Sequence, residues 1–159
     1  MSFEYTYIDS PVGKLLLVGQ NEVLHYLSFP SGKMHFQPEP GWQYNPATLS
    51  KAKGQLDAYF AGQLKQFNLA IAPNGSAFQM QVLAALQLIP YGQVRSYKDI
   101  AQTIGRPQSM RAVGAANGHN PIPLIIPCHR VIGADGSLTG FGGGVDTKAF
   151  LLRLEGAIH

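Results

Sequence analysis

The only cysteine of the chain, Cys128, lies in the run Asn120-Pro-Ile-Pro-Leu-Ile-Ile-Pro-Cys-His-Arg-Val-Ile132. A thiol beside an imidazole can act as a nucleophile beside its base. Free cysteine has a pKa of about 8.5, so the attacking thiolate has to be generated, usually by a histidine that a carboxylate orients. His129 is adjacent. Neighbours on a strand point to opposite faces, so a direct Cys–His bond needs a bend or a bridging water. Pro121, Pro123 and Pro127 make an irregular backbone the expectation, and Pro127 drives Ile126 toward extended geometry. Glu155, at the end of the last expected helix, is a candidate third member; spacing alone does not select it over Asp135 or Asp146. The competing reading is that Cys128 is a small buried hydrophobe, the commonest fate of a lone cysteine among aliphatic residues. His25, His35, His119 and His159 are scattered without metal-ligand spacing. No metal site is therefore expected.

The elements that must position this run differ between the two halves. The first third reads as a β-meander: Phe3–Ile8, a turn at Ser10-Pro-Val-Gly13, Lys14–Val18, a turn at Gly19-Gln-Asn21, then Val23–Phe29. Residues 30–46, with four prolines, read as an irregular connector. Leu49–Phe60 reads as a helix with Leu49, Leu56, Tyr59 and Phe60 sharing a face, and Phe67–Ile71 as another strand. Pro73-Asn-Gly75 is the expected boundary. Residues 1–75 are then a small β-rich domain and 76–159 a mostly helical one.

In the second half Ser76 is an expected N-cap for a helix carrying Phe78, Val82, Leu83 and Leu86. Ser96 caps a short helix over Tyr97–Ile104. Gln108 or Ser109 opens another, through Asn117. Two short helices around a glycine-containing turn predict a helix-turn-helix. The second helix, Met110-Arg-Ala-Val-Gly-Ala-Ala-Asn117, has few side chains able to read base edges. Its small residues leave two readings open. One is close packing in the core; the other is an approach to the minor groove with little sequence readout. Gly133-Ala-Asp-Gly136 predicts a hairpin turn. Asp146 or Thr147 is the expected cap of a last helix whose Phe150, Leu151 and Leu154 face inward.

Composition narrows the function class. Residues 76–159 hold seven basic side chains against four acids, whereas residues 1–75 balance five against five. The whole excess of +3 is therefore beside the expected helix-turn-helix, which suits an anionic partner. No run approaches the about 18 apolar residues of a membrane helix, and the N-terminus carries no signal-peptide pattern. A single cysteine excludes an internal disulfide and a thiol-rich zinc site, and points to a cytoplasmic setting.

The run Pro127-Cys-His-Arg-Val-Ile-Gly133, with Arg111-Ala-Val-Gly-Ala-Ala116 and Asn120-Pro-Ile-Pro123 before it, resembles the O6-alkylguanine-DNA alkyltransferase family. Phe78-Gln-Met-Gln-Val-Leu-Ala-Ala-Leu86, Pro90-Tyr-Gly-Gln-Val-Arg-Ser-Tyr97, Gly140-Phe-Gly-Gly-Gly144 and Leu151-Leu-Arg-Leu-Glu155 are similar to that family in the same order. The N-terminal half matches more loosely, through Ser10-Pro-Val-Gly-Lys-Leu-Leu-Leu17.

The resemblance implies an α/β (α+β) chain: a β-rich, ribonuclease-H-like domain, then the helix-turn-helix domain. It implies irreversible, stoichiometric transfer of an alkyl group from O6-alkylguanine in duplex DNA to Cys128 after nucleotide flipping, with O4-alkylthymine a further candidate substrate. His129 would take the thiol proton through a water, and Glu155 would orient the imidazole. Tyr97 would donate to the leaving base, and Asn120 would brace the active-site turn. Arg111 would fill the vacated stack, with Ser96, Ala112, Gly114 and Ala115 beside it in the minor groove. The Val131 backbone, Phe141 and Gly142 would line the base pocket. A monomer without cofactor, metal or regulatory domain is expected. The departure is Asn117, which stands in the recognition helix where some relatives carry an apolar residue. Two rivals remain: a lesion-binding module without transfer, against which Cys128 argues, and a Cys-His-Glu thiol hydrolase.

Overall fold

The computed structural model describes residues 2–32 and 35–159, so Lys33, one of the five basic residues of the N-terminal half, lies outside the described residues. The chain begins with the meander β1 (Glu4–Ile8), β2 (Leu15–Gln20) and β3 (Val23–Ser28), each antiparallel to the next. The second turn falls at Asn21-Glu22 rather than at Gly19. Both residues have positive φ, 53° and 62°, as a tight hairpin turn requires. Gly19 instead sits at a bulge inside β2, where a Cβ would collide with the Val23 carbonyl.

The connector is less irregular than expected. Its end forms β4 (Gln43–Tyr44), parallel to β1, while Phe36 and Trp42 pack on Tyr26. After α1 (Ser50–Phe60), only Ala70–Ile71 of the expected Phe67–Ile71 strand forms β5, parallel to β3. Phe67 packs on the Tyr59 ring instead. The sheet order is β4-β1-β2-β3-β5. α1 buries Ala52, Leu56 and Tyr59. Its first amides are satisfied from another element: the Glu22 carboxylate accepts from Ser50 N at 3.1 Å and Lys51 N at 3.0 Å.

The second half is helical. Ser76 caps α2 (Ala77–Leu86), its hydroxyl accepting from Gln79 N. Ser96 and Asp99 form a reciprocal capping box on α3 (Tyr97–Thr103). α4 (Met110–Gly118) packs on both α2 and α3, completing the helix-turn-helix. Val82, Leu83, Leu86, Ile100 and Val113 join Leu24, Leu27, Leu56 and Tyr59 in one core. Each fully buried aliphatic side chain there stabilises the fold by about 1.5–3 kcal/mol.

Two expectations for the C-terminal segment are corrected. The turn at Gly133–Gly136 forms, but no hairpin follows it. β7 (Val131–Ile132) pairs in parallel with β6 (Arg95–Ser96), and the chain beyond Ser137 turns away through Gly140 (φ 74°) and Gly144 (φ 96°). Gly144 also starts α5 (Val145–Leu154), so neither Asp146 nor Thr147 caps it. The inward stripe of α5 is Lys148, Leu151, Leu152 and then Glu155, spaced i, i+3, i+4, i+7, whereas Phe150 is 36% exposed.

Candidate active site

Cys128, His129 and Arg130 form one 3₁₀ turn between Pro127 and β7, and all three are buried. Pro127 (φ −79°, ψ 63°) closes an inverse γ-turn in which Cys128 N donates to Ile126 O at 2.7 Å. The turn, not a strand, is what brings the adjacent Cys128 and His129 to one place. Asn120 ties the preceding loop together. Its Oδ1 accepts from Ile122 N at 3.0 Å, and its Nδ2 donates to Ile126 O at 2.8 Å.

Of the acids left open by spacing, Glu155 is the one at the histidine. His129 Nε2 lies 2.8 Å from Glu155 Oε2, with both side chains inaccessible to solvent. An ionised carboxylate only accepts, so Nε2 carries the proton and Nδ1 keeps its lone pair. That Nδ1 has no hydrogen-bond partner among the described residues. Asp135 lies exposed in its own turn, and Asp146 is exposed in the first turn of α5.

Glu155 accepts four further donors. Tyr59 Oη reaches Oε2 at 2.6 Å; Arg130 gives Nε to Oε1 at 2.8 Å and Nη2 to Oε2 at 3.0 Å; Gly92 N reaches Oε1 at 3.3 Å. Burial pushes the carboxyl up, but the bonds from His129, Arg130 and Tyr59 outweigh it and hold its pKa at about 2. Burial lowers the His129 pKa against the pull of Glu155, so the imidazole is neutral at rest. Burial raises the Cys128 thiol to about 11, against the Asn120 side chain and the nearby Lys148 charge. The resting site is thus a protonated thiol beside a neutral base.

Three side chains that the sequence did not single out for the site, Arg130, Tyr59 and Lys148, shape it. Arg130 and Tyr59 clamp Glu155. Lys148 is fully buried and donates from Nζ to Val131 O at 2.5 Å and Thr139 O at 2.8 Å, tying β7, which follows the cysteine turn, to the loop beyond it. Burial drops its pKa to about 8. Asn117, the departure from the family pattern in the recognition helix, faces inward: it is 1% exposed and its Nδ2 donates to Cys128 O at 3.4 Å. The i, i+7 spacing of Lys148 and Glu155 was the available signal; nothing local marked Tyr59.

Tyr97 opens α3 and donates its hydroxyl to Thr139 O at 3.0 Å. Burial raises its pKa, and the nearby Cys128 adds to the rise. A cavity of about 470 Å³ opens between α4 and the glycine loop. Gly114, Ala115, Gly118 and His119 form one wall, with Thr139, Phe141 and Gly142 opposite. Val131 is not part of this lining; it is buried, and its carbonyl is committed to Lys148. Ala112 and Ala115 lie exposed on α4, so these two do not serve core packing, while Ala116 does. Arg111 is exposed and forms no ion pair among the described residues. Ser96 spends its hydroxyl lone pair on the Asp99 amide and lines a shallow groove with Arg111 and Gly114.

Comparison with known proteins places this geometry. Residues 4–73 match the ribonuclease-like domain of 6-O-methylguanine DNA methyltransferase, and residues 77–157 match its DNA-binding domain. The chain is 50% identical over 153 residues to the methylated-DNA–protein-cysteine methyltransferase of Methanosarcina acetivorans, covering 96% of this chain and 98% of that one. It is 52% identical over 153 residues to the protein of the same name from Mycolicibacterium paratuberculosis, covering 96% and 92%. The crystal structure of Mycobacterium tuberculosis O6-methylguanine methyltransferase superposes with a TM-score of 0.90 at 49% identity, covering 98% of this chain and 93% of that one. A structure of the M. tuberculosis protein in complex with DNA gives 0.91, covering 97% and 93%. With both halves matched in order and half of all positions identical, the chain belongs to the 6-O-methylguanine DNA methyltransferase family.

Proposed function

We propose that this chain repairs DNA directly, moving the alkyl group of O6-alkylguanine onto Cys128 once per molecule. The observation that carries the reading is the neutral His129, locked by Glu155 with its other ring nitrogen unpaired, one residue from a buried thiol. The thiol proton passes to His129 Nδ1, across one water as the family likeness implies. The sulfur then attacks the alkyl carbon as the bond from that carbon to O6 breaks. The electron pair left on the base is met by a proton or hydrogen bond from Tyr97, and the imidazolium is stabilised by Glu155. The product is a thioether and normal guanine.

DNA binding follows from the surface of α4. Arg111 fills the stack vacated by the flipped nucleotide, and Ala112, Gly114 and Ala115 allow the helix to lie in the minor groove without a base code, with Ser96 at its edge. The extruded base enters the cavity beside Phe141 and Gly142. Asn120 braces the turn beneath. The division of labour between residues 1–75 and 76–159, and a monomeric cytoplasmic protein, belong to the same proposal. A reducing compartment keeps the one thiol available.

The test is intact-mass measurement after incubation with duplex DNA carrying O6-methylguanine. A gain of one methyl, about 14 Da, absent in Cys128→Ser, is expected. An unmodified wild-type chain would sink the proposal.

A further inference from the structure

Phe141 is the largest apolar side chain in the wall of the cavity between α4 and the glycine loop. It is 6% exposed and stands among Gly140, Gly142, Gly143 and Gly144, so no side chain next to it in the loop holds the ring. Its position is set from outside the loop. The ring meets the His129 imidazole nearly edge-on, with centroids 6.5 Å apart at 80°, and the Phe29 ring at 5.5 Å and 60°. Phe29 is 3% exposed and does not line the cavity, so it stands behind the wall rather than in it. It belongs to the N-terminal half, directly after β3. There its carbonyl accepts from Ser28 Oγ at 3.1 Å and His35 Nδ1 at 3.2 Å, which fixes the base of the ring.

Gly143 shows how tightly the two rings are set. A Cβ there would stand 2.5 Å from the Phe29 ring and 2.8 Å from the Phe141 ring. Its φ is not left-handed, so the backbone does not call for glycine; the two rings do. A close-packed interior yields neither to an added methyl nor to a ring pressed into it without strain. Phe141 therefore has no room to retreat while Phe29 is in place. We propose that Phe29 is a specificity-determining residue of the alkyl-transfer reaction: acting through Phe141, it sets the largest alkyl group that the cavity admits. The inference rests on Cys128 accepting that group. The attacked carbon has to reach the sulfur beside His129, and Phe141 is the apolar wall that stands at this imidazole. Whatever the carbon carries meets that wall, and a pocket of fixed depth discriminates between groups that differ by a few carbons.

The test is the ratio of single-turnover rates on two free bases, O6-naphthylmethylguanine and O6-benzylguanine. Phe29→Leu opens space behind Phe141 and should raise that ratio about tenfold in favour of the larger group. Equal losses on both bases would show that Phe29 only supports the fold, and would overturn the proposal. Gly143→Ala drives Phe141 toward the cavity and should lower the ratio. Combining Gly143→Ala with Phe29→Leu gives the added methyl room and should return the ratio toward that of the wild type. A double variant as restricted as Gly143→Ala alone contradicts the role. Cys128→Ser has no thiol to alkylate, so equilibrium binding of the two bases to it, with and without Phe29→Leu, reads the same preference without transfer. A shifted binding preference beside a wild type that takes no alkyl group would sink the alkyl-transfer reading alone. An unshifted one beside an alkylated wild type would sink only the assignment of Phe29.

Discussion

Tyr59 donates its hydroxyl to Glu155 across 96 positions at 2.6 Å, so the N-terminal half supplies one of the donors that hold the carboxylate beside His129. Tyr59 is itself fully buried, and its pKa is raised by burial and by the Glu155 charge, so the hydroxyl remains a donor. Tyr59→Phe removes this bond without opening a cavity. We expect a stability loss of about 1.5–3 kcal/mol, read from urea unfolding, and a slower alkyl transfer. Unchanged values would show that the remaining donors suffice.

Glu155→Gln has a larger cost. It leaves the Arg130 guanidinium buried against a neutral amide, and one-sided loss of a buried ion pair typically costs about 3–5 kcal/mol. It also lets the imidazole turn, because the amide can donate as well as accept. The transfer rate should fall further than in Tyr59→Phe, with single-turnover kinetics as the measure.

Acid should destabilise the fold in two overlapping windows. His129 has its pKa lowered in the folded chain, so the unfolded chain binds the extra proton and stability declines as pH falls below 6.5. Glu155 is lowered from 4.5 to about 2, so its contribution is present above 4.5 and lost as pH falls toward 2. Urea midpoints measured from neutral pH downward should decrease through both windows, and Glu155→Gln should remove the lower one. The same neutral imidazole predicts a transfer rate that does not decline until pH is below 6.5.

Gly140 tests the tyrosine. Its φ is 74°, and a Cβ there would stand 2.7 Å from Tyr97 Oη. Gly140→Ala should displace the hydroxyl from Thr139 and slow transfer while leaving duplex affinity near wild type. Fluorescence anisotropy and single-turnover rates separate the two effects.

Arg111 tests the stack. Arg111→Ala should slow repair in duplex DNA more than reaction with free O6-benzylguanine, because only the duplex has a gap to fill. Equal losses on both substrates would contradict that role.

The relation of sequence to structure is clearest in the cysteine run. Cys128 and His129 were adjacent in sequence, and Glu155 stood at a helix end; a 3₁₀ turn rather than a strand brings them together. The two readings of the thiol were also less opposed than they looked, since Cys128 is both a buried residue and the neighbour of a poised base. Lys148 and Arg130 were hidden because charged residues normally face water. Only their tertiary partners, the Val131 and Thr139 carbonyls and Glu155, make burial tolerable. Asn117 could not be placed from sequence because a nine-residue helix with mostly small side chains gives little periodic contrast, and the inward face is set by Val113 and Ala116. Leu124, whose φ of 77° is left-handed, carried no signal at all, since such a backbone is normally announced by glycine.

The bond from Tyr59 to Glu155 has a counterpart at the cavity. Gly32 packs so closely on the Gly142 carbonyl that no side chain fits between them. The first half of the chain therefore touches both the proton relay and the rim of the substrate cavity. We expect a molecule in which that half has not folded to lack a working acceptor, even with Cys128 intact. Labelling of the thiol by substrate then acts as a census: each alkylated chain reports one molecule that had reached its complete native form.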